Sequence, residues 1–393
     1  MASLAPSPAQ PLVRTGRPAT GPAPVRRLLA LRHLGPNWYA SVMGTAIIAN
    51  AGAALPDSLG FPALPGYRVA LQVVWALSAV ALLVLLTARA GHWLHHRDQA
   101  RAHLLDPAVA PFYGCLSMAL LAVGAGTVLV GSDVIGRRAA PAVDAVLFTA
   151  GTVAGLVAAV AVPYLMVVRH RVEPGQAGPV WLLPVVAPMV SAAVGPLLIP
   201  HLPAGQAREA MLLGCYAMFG ISLLATLLLL PLIFGRLIVT GPLPLALTPT
   251  LFLVLGPMGQ SVTAVNQLAD QAPTAIGGPV AEALAGFAVV YGVPVLGFAL
   301  MWLALAVAMV VRAARAGMGF AMTWWAFTFP VGTCVTGAEG LARHTGLTAL
   351  HWLAAALFAA LVGAWCAAAF HTLRGLFSGR LLAAPARPVP AAR

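Results

Sequence analysis

The apolar residues of this chain fall into separate blocks, and that pattern limits what the chain can fold into. Each block holds about 20 residues or more, the length needed to cross the roughly 30 Å of hydrocarbon in a bilayer. Only 8% of the 393 residues are charged, against roughly a quarter in a soluble domain. We therefore predict an all-α polytopic membrane protein with ten transmembrane helices, at 37–55, 67–88, 109–130, 143–167, 180–200, 209–234, 245–269, 282–311, 319–340 and 347–372.

The arginines predict how these spans are oriented. Every basic residue is an arginine, and 17 of the 22 lie on the inner side when the N-terminus is placed inside. Because inner loops of membrane proteins are enriched in basic residues, both termini are predicted to be cytoplasmic. Residues 1–33 and 377–393 are predicted as disordered tails around a ten-helix domain at 34–376.

The use of arginine without lysine, together with abundant Ala, Gly and Pro, indicates a GC-rich bacterial source. The predicted location is therefore the bacterial cytoplasmic membrane, which the chain crosses many times. A basic inner face would also concentrate anions on the cytoplasmic side, although topology alone accounts for most of the charge asymmetry.

The odd-numbered spans differ from the even-numbered ones. Each odd span has a proline or an aromatic residue early and small and polar residues later, whereas the even spans are more apolar. Because all odd spans run in one direction, five helical hairpins about an axis along the membrane normal would turn them towards one another. Polar residues at mid-membrane need water or polar partners, so the arrangement predicts a central pore. Its candidate lining residues in the first and third spans are Asn37, Ser41, Gly44, Thr45 and Ser117.

Spans seven and nine carry the remaining candidates. In span seven, one helical stripe is formed by Gly256, Gln260, Thr263 and Gln267. Such a stripe lines a pore or bonds a neighbouring helix, and both interpretations stay open. In span nine, Phe329 shares a face with Thr333, and the adjacent Pro330 permits a kink. A ring on that face would plug a wet path, although packing against lipid or core is the ordinary role of a membrane phenylalanine.

Other titratable groups give weaker indications. The cluster His92, His95 and His96 has residues that bind metals or sense pH, but we interpret it as part of an interfacial loop. Glu282 and Glu339 lie towards span ends, where we expect solvated carboxylates. The four cysteines lie in different spans without metal-ligand spacing, so no disulfide, metal or cofactor is predicted. No paired acids and no nucleophile with its base are found, which disfavours the alternative of a membrane-embedded enzyme.

Three segments of the odd spans carry recognisable motifs: 35–45 reads GPNWYASVMGT, 256–260 reads GPMGQ and 324–330 reads WWAFTFP. They resemble the first-, seventh- and ninth-helix signatures of the tellurite-resistance/dicarboxylate transporter (TDT) family, which includes malate permeases, sulfite exporters and plant slow anion channels. The motifs look closest to the malate permease and sulfite exporter branch. Ala46 departs from the pattern, since glycine is common at that position.

The resemblance implies ten helices in five hairpins around a pore, usually in a homotrimer, with a ninth-helix phenylalanine that occludes the pore. That gate corresponds to Phe329, with Phe327 as the fallback. The implied partners are a small anion and the lipid bilayer, with no nucleic acid. The implied substrate is sulfite or a C4-dicarboxylate such as malate. A chloride or nitrate channel and a tellurite-resistance-type exporter are the alternatives.

Overall fold

The computed structural model of the chain describes residues 31–173 and 175–382, and no β-strand occurs within these ranges. The two predicted tails lie largely outside the described residues. We number the long helices in chain order and leave the short ones unnumbered. They are α1 (Tyr39–Ala54), α2 (Tyr67–His95), α3 (Ala110–Ile135), α4 (Ala139–Val168), α5 (Pro179–His201), α6 (Gln206–Thr240), α7 (Leu245–Ala275), α8 (Gly278–Arg315), α9 (Phe329–Thr345) and α10 (Thr348–Phe377).

Eight of these helices, α2 to α8 and α10, are long and apolar enough to cross a membrane. The prediction of an all-helical, multi-pass membrane protein is therefore confirmed. The other two helices are shorter, with 16 residues in α1 and 17 in α9. Both carry buried polar side chains, such as Asn50 in α1 and Glu339 in α9. Their crossing of the membrane stays a prediction.

The helices form two layers that differ in burial. In α3, α5 and α7 the most apolar stretch is between 83% and 89% buried, whereas in α2, α4, α6, α8 and α10 it is between 22% and 28% buried. The exposed faces of the second group are rich in Val and Leu, as expected of surfaces in contact with lipid. The inner layer, which also includes α1 and α9, holds most of the buried core.

The inner helices pack against one another in a closed ring, in the order α1, α3, α5, α7, α9 and back to α1. Each of them also packs against the outer helix that follows it in the chain. Small residues allow the close approaches. A Cβ atom on Gly114 of α3 would lie 2.3 Å from the Leu183 carbonyl oxygen of α5. One on Gly332 of α9 would lie 2.3 Å from the Ile47 side chain of α1.

The contact between α7 and α9 is a parallel pairing with a regular register. Gly259 meets Thr333 and Cys334 of α9. One turn further along, the Thr263 and Thr336 hydroxyls are 2.7 Å apart. Two turns beyond that, the carboxylate of Asp270 accepts a hydrogen bond from Arg343 at 3.2 Å. Hydroxyl bonds and glycine contacts therefore fix α7 and α9 to each other along their length.

Every inner helix begins with a 3₁₀ segment or follows one within two residues. These segments are Pro36–Trp38, Ala110–Tyr113, Pro179–Trp181, Leu245–Val254 and Met322–Phe327. Each one contacts the next in chain order, so all five lie at one end of the ring, which we call the 3₁₀ end. Prolines at the start of the first three segments have no backbone N–H to leave unbonded. The early prolines and aromatic residues of the odd spans are thus the sequence signal of this end.

Candidate functional site

A small cavity lies inside the ring, where the 3₁₀ segments change into α-helix. Its volume is about 20 Å³, room for about one water molecule. Every inner helix contributes to its wall, and all the side chains there are apolar. The lining residues are Met43, Met118, Leu182, Leu183, Val186, Leu253, Gly256, Pro257, Phe329 and Pro330. A cavity lined by all five inner helices lies on the central axis of the ring, and this one is small and apolar.

Phe329 owes its position to a break in the ninth helical segment. The 3₁₀ turn ends at Phe327, Thr328 has φ −97° and ψ −77°, and the α-helix begins at Phe329. The Thr328 hydroxyl donates to the Trp325 carbonyl oxygen at 2.7 Å, which holds this junction in place. The Phe329 side chain is 3% exposed and forms part of the cavity wall.

Phe327, the other ring of the motif, points elsewhere. It packs edge-on against Phe252 of α7, with ring centroids 4.9 Å apart, and lies near Trp324 at 5.9 Å. It is not among the residues that line the cavity. The structure thus places only one of the two motif rings on the axis.

The stripe on α7 divides between the cavity and the neighbouring helix. Gly256 lines the cavity, and a Cβ atom built on it would have only Pro330 within reach, at 4.0 Å. Gln260 lies one turn further along the same face, is 4% exposed, and its Oε1 has no hydrogen-bond partner among the described residues. Gln267 is half-buried near the other end of α7. A buried amide oxygen without a partner is uncommon, so the fold leaves one polar atom of Gln260 unused a turn away from Gly256.

The threonines of the stripe and of α9 bond neighbouring backbone instead. The Thr263 hydroxyl lies 3.0 Å from the Gly259 carbonyl oxygen and 3.2 Å from that of Thr333. The Thr333 hydroxyl donates to the Pro330 carbonyl oxygen at 2.7 Å and is fully buried. These groups serve the pairing of α7 with α9. The interpretation as a helix-pairing stripe therefore applies to Thr263, and pore lining by Gly256, Gln260 and Gln267 stays a prediction.

The candidates in the first and third spans mostly face other helices. The Ser117 hydroxyl donates to the Gly151 carbonyl oxygen of α4 at 2.6 Å. The Thr45 hydroxyl donates to Ser41 and accepts from the Trp365 indole of α10, at 2.7 Å and 3.0 Å. Gly44 gives room for Thr328 and Trp325 of the ninth segment. None of these three is among the cavity-lining residues.

Asn37 and Ser41 lie at the 3₁₀ end, and both are half-buried. The Ser41 hydroxyl donates to the Trp38 carbonyl oxygen at 2.8 Å. Both residues belong to the first turns of the first segment, and neither lines the cavity.

The apolar side chains Met43 and Met118, which do line it, were not predicted as site residues, because a methionine in a membrane helix carries no distinguishing sequence signal.

Two buried carboxyl groups were also missed from the sequence. Glu339 of α9 is 1% exposed, and its Oε2 lies 2.8 Å from His351 Nδ1 of α10. The interpretation of Glu339 as a solvated carboxylate is therefore wrong, because a neighbouring helix covers it, whereas Glu282 is exposed as expected. Asp144 of α4 is 1% exposed against Gly124 of α3, and neither of its oxygens has a partner among the described residues.

The predicted histidine loop is also different in the structure. His92 belongs to α2, is fully buried, and its Nδ1 lies 2.8 Å from the Leu31 carbonyl oxygen. Its ring stacks on His103 of the short helix Arg97–Leu105, with centroids 5.4 Å apart. Burial, and then the nearby Arg89 guanidinium, lower the pKa of His103 to about 4. No group of three metal-binding side chains occurs within the described ranges.

The layered helices, with a small cavity lined by the five inner ones, define a multi-pass membrane protein. Residues 33–373 match the model of the voltage-dependent anion channel family, SLAC1, and the chain belongs to that family. Membership confirms the predicted relation to plant slow anion channels and the prediction of an anion transporter or channel, rather than an enzyme.

Named relatives support the same conclusion. The chain is 25% identical to an uncharacterized transporter of Methanocaldococcus jannaschii over 357 residues, which are 90% of this chain and 97% of the relative. It is 26% identical to the sulfite efflux pump SSU1 of Trichophyton rubrum over 325 residues, which are 80% of this chain and 84% of that protein. A sulfite efflux pump SSU1 of Arthroderma benhamiae is 25% identical over the same length. The resemblance to the sulfite exporter branch is thus confirmed.

Proposed function

We propose that the protein carries small anions, with sulfite as the first candidate, through a pore along the axis of the five inner helices. The observation that carries the proposal is the cavity to which all five inner helices contribute. A path enclosed by α1, α3, α5, α7 and α9 is separated from lipid by the outer layer on every side. Membership of an anion channel family supplies the class of solute.

The proposal includes a topology. All ten long helices cross the bacterial cytoplasmic membrane as five hairpins, with both termini in the cytoplasm, so that the 3₁₀ end faces the cytoplasm. The closed ring supports the crossing of α1 and α9, because α1 packs against α3 and α9 packs against α7, and both partners are long enough to cross. α1 and α9 have 16 and 17 residues, and outer helices pack against both of them. A homotrimer stays a prediction from the resemblance.

Phe329 is proposed as the gate. Its ring fills the wall of a cavity that has room for about one water molecule, at the level where the other four inner helices supply only apolar groups. A dry constriction of this kind blocks a hydrated ion until a side chain moves. Pro330 and the helix break at Thr328 leave Phe329 at the first α-helical position of its segment, where fewer helical neighbours restrict its rotamer.

Weak polar groups next to the cavity would bind the anion during its passage. The Gln260 amide lies one turn from the cavity and is able to donate an N–H. The positive end of the α9 helix dipole lies at Phe329. Since no arginine of the described residues lines the cavity, no fixed cation of this part of the chain holds an anion there, and an ion is free to leave.

The same lining favours sulfite over a C4-dicarboxylate such as malate. A substrate with two carboxylate groups requires several N–H donors or cationic side chains. Carboxylates are bound most strongly when two N–H groups of one side chain bond both carboxylate oxygens. The cavity wall offers apolar side chains only. A compact anion that keeps part of its hydration shell is therefore the better match, and the names of the fungal relatives agree with it.

The test is anion flux in proteoliposomes, with sulfite, malate, nitrate and chloride supplied in turn to wild type and to Phe329→Ala. We expect wild type to pass sulfite and the variant to pass it faster. Displacing a buried phenyl ring costs about 1.5–3 kcal/mol, so its removal raises flux by about ten- to a hundredfold.

Phe327→Ala is the matched control, because it removes the same side chain two residues away, against Phe252 rather than the cavity. Its flux should stay near that of wild type. An increase with Phe327→Ala alone would transfer the gate to Phe327. Absence of flux for all four anions, in wild type and both variants, would overturn the proposed function.

A further inference from the structure

The buried pair of Glu339 and His351 has no role in the pore proposed above. Glu339 lies six residues before the end of α9, about 9 Å along the helix axis. Its side chain is 2% exposed, while that of His351, in the first turn of α10, is 21% exposed. An ionisable residue at such a position in a membrane protein is costly unless it is paired, and it is functional by default.

The position of the pair allows a proton from solution to reach the buried Glu339 carboxyl group through His351. The Nδ1 of His351 and the Oε2 of Glu339 are 2.8 Å apart, close enough to share one proton. Because only the imidazole retains exposed surface, His351 is the route by which a proton enters or leaves. The pair has no net charge with the shared proton bound and a charge of −1 after losing it.

The pair is also close to the polar stripe of the ring. Thr336, one turn before Glu339 on α9, bonds Thr263 of α7 at 2.7 Å. Glu339 leaves α9 towards α10, on another side of the helix from that bond. Since a helix is about 10 Å across, a charge on Glu339 lies about that distance from an ion passing along the stripe.

Most other charged groups at the end opposite the 3₁₀ end are paired or exposed. The exception is Asp144 of α4, which is buried against Gly124 of α3, away from α9, without a partner among the described residues. Asp270 of α7 bonds Arg343 at 3.2 Å and lies 3.4 Å from His344. Glu282 of α8 and Asp57, in the loop after α1, are exposed. Two tyrosines belong to helices packed at the same end: Tyr67 of α2 donates to the Gly52 carbonyl oxygen, and Tyr291 lies in α8. Glu339 is thus the buried carboxyl group of α9, and His351 is the side chain bonded to it.

We propose that Glu339 and His351 form a proton-binding site and that its occupancy controls the flux of anions through the ring. The inference rests on the proposed function. Binding consists of one proton moving from the solution at the end of the ring opposite the 3₁₀ end to the shared position between His351 Nδ1 and Glu339 Oε2. No other bond changes. The occupied site is neutral and lets anions pass, whereas the empty site is negative and repels them.

The sign of the pH dependence follows from this charge change. Lower pH at the end opposite the 3₁₀ end fills the site, removes the negative charge and raises the flux. Higher pH empties the site and lowers the flux. A unit charge about 10 Å away, at an effective dielectric constant of about 20, changes the local concentration of a monovalent ion by about tenfold.

The experiment measures sulfite and chloride flux in proteoliposomes at constant internal pH, while the external pH is varied between about 5 and about 9, a range that brackets the ordinary histidine pKa. Wild type should lose about tenfold in flux from the acid to the alkaline limit. Glu339→Gln keeps the size and hydrogen-bonding capacity of the side chain but cannot ionise. Its flux should stay high and independent of external pH.

Glu282→Gln is the matched control, since it makes the same change in an exposed glutamate near the same end, and it should keep the wild-type profile. His351→Asn supplies a second variant should Glu339→Gln fail to fold. Its pH step should be lost or move in midpoint, because the imidazole that shares the proton and passes it to solution is gone. A hydrogen bond with a merely structural role would leave the midpoint unchanged.

A wild-type profile in Glu339→Gln, or a flat profile in wild type, would overturn the proton site. Either result would leave the proposed anion pathway intact, because that pathway is tested by flux at equal pH on both sides. Chloride, which takes up no proton in this range, separates control by the protein from protonation of sulfite itself. A pH step with sulfite alone would contradict the proposal.

Discussion

Gln260 and Thr263 lie on one stripe of α7, yet their surroundings give them different roles. Both are almost fully buried. The Thr263 hydroxyl lies within bonding distance of Gly259, Thr333 and Thr336, whereas Gln260 Oε1 lacks a partner among the described residues. The unpartnered Oε1 is an acceptor and cannot bind an anion, so a passing anion would be bound by the Nε2–H of the same amide, whereas the Thr263 hydroxyl is already bonded between helices.

Replacing Gln260 with leucine should lower anion flux by about fivefold, the equivalent of one hydrogen bond of about 1 kcal/mol. Flux in proteoliposomes at equal pH measures the effect. Thr263→Val is the comparison variant, because it removes a hydroxyl used between helices, and it should lower thermal stability while leaving flux per folded protein unchanged. Equal flux in wild type and Gln260→Leu would show that the amide does not contact the anion.

The sequence predicted the stripe but could not assign its residues. Helical periodicity shows which side chains share a face of α7, but the neighbour that covers each part of that face comes from α9, about 70 residues later in the chain. The pairing of Glu339 with His351 was hidden for a related reason. It joins two helices across a turn, and no spacing rule marks it. Phe329, by contrast, was singled out by its motif, and the structure places it in the cavity wall.

At the scale of elements, the pairing of α7 with α9 depends on glycine. A Cβ atom on Gly259 would lie 2.5 Å from Thr333 Oγ1 and 2.6 Å from the Cys334 backbone nitrogen. A backbone atom cannot move aside as a flexible side chain does. The two helices would have to separate, and the threonine bonds along the same interface would lengthen with them.

We expect Gly259→Ala to destabilise the protein by about 1–3 kcal/mol, the usual cost of overpacking. The readout is the apparent melting temperature of the purified protein in detergent, which should fall by several degrees. Gly286→Ala, in the exposed face of α8 where nothing lies within 4 Å, should raise it slightly through the higher helix propensity of alanine. A fall of equal size in both variants would mean that the α7–α9 contact is not specially tight.

At the scale of the whole molecule, the fold was largely predictable because hydrophobic blocks of spanning length are a strong signal. The predicted spans 109–130 and 245–269 correspond to helices Ala110–Ile135 and Leu245–Ala275. The helices α2 and α8 extend beyond their predicted spans, because both continue past the apolar block and end with histidines or arginines. Ring closure and the cavity required the three-dimensional contacts, as a sequence pattern does not show which faces meet.

Orientation is a property of the whole chain that cysteine labelling can test. Ser58→Cys, in the loop after α1, should react from outside the cell with a thiol reagent that does not cross membranes. Ser378→Cys, directly after α10, should react only after the membrane is opened. Both serines are exposed, and Cys366→Ala removes the one native cysteine that is not buried. The reverse pattern would invert the proposed topology.

The 3₁₀ segments have a further consequence for how the ring could change shape. A residue in a 3₁₀-helix advances about 2.0 Å and turns about 120°, while one in an α-helix advances about 1.5 Å and turns about 100°. Moving the junction of one inner helix by a single residue would therefore shift the rest of that helix by about 0.5 Å and rotate it by about 20°. The junctions surround the cavity. Small combined shifts and rotations of this kind would therefore turn the lining side chains towards or away from the axis and change the width of the cavity, without separating the helices.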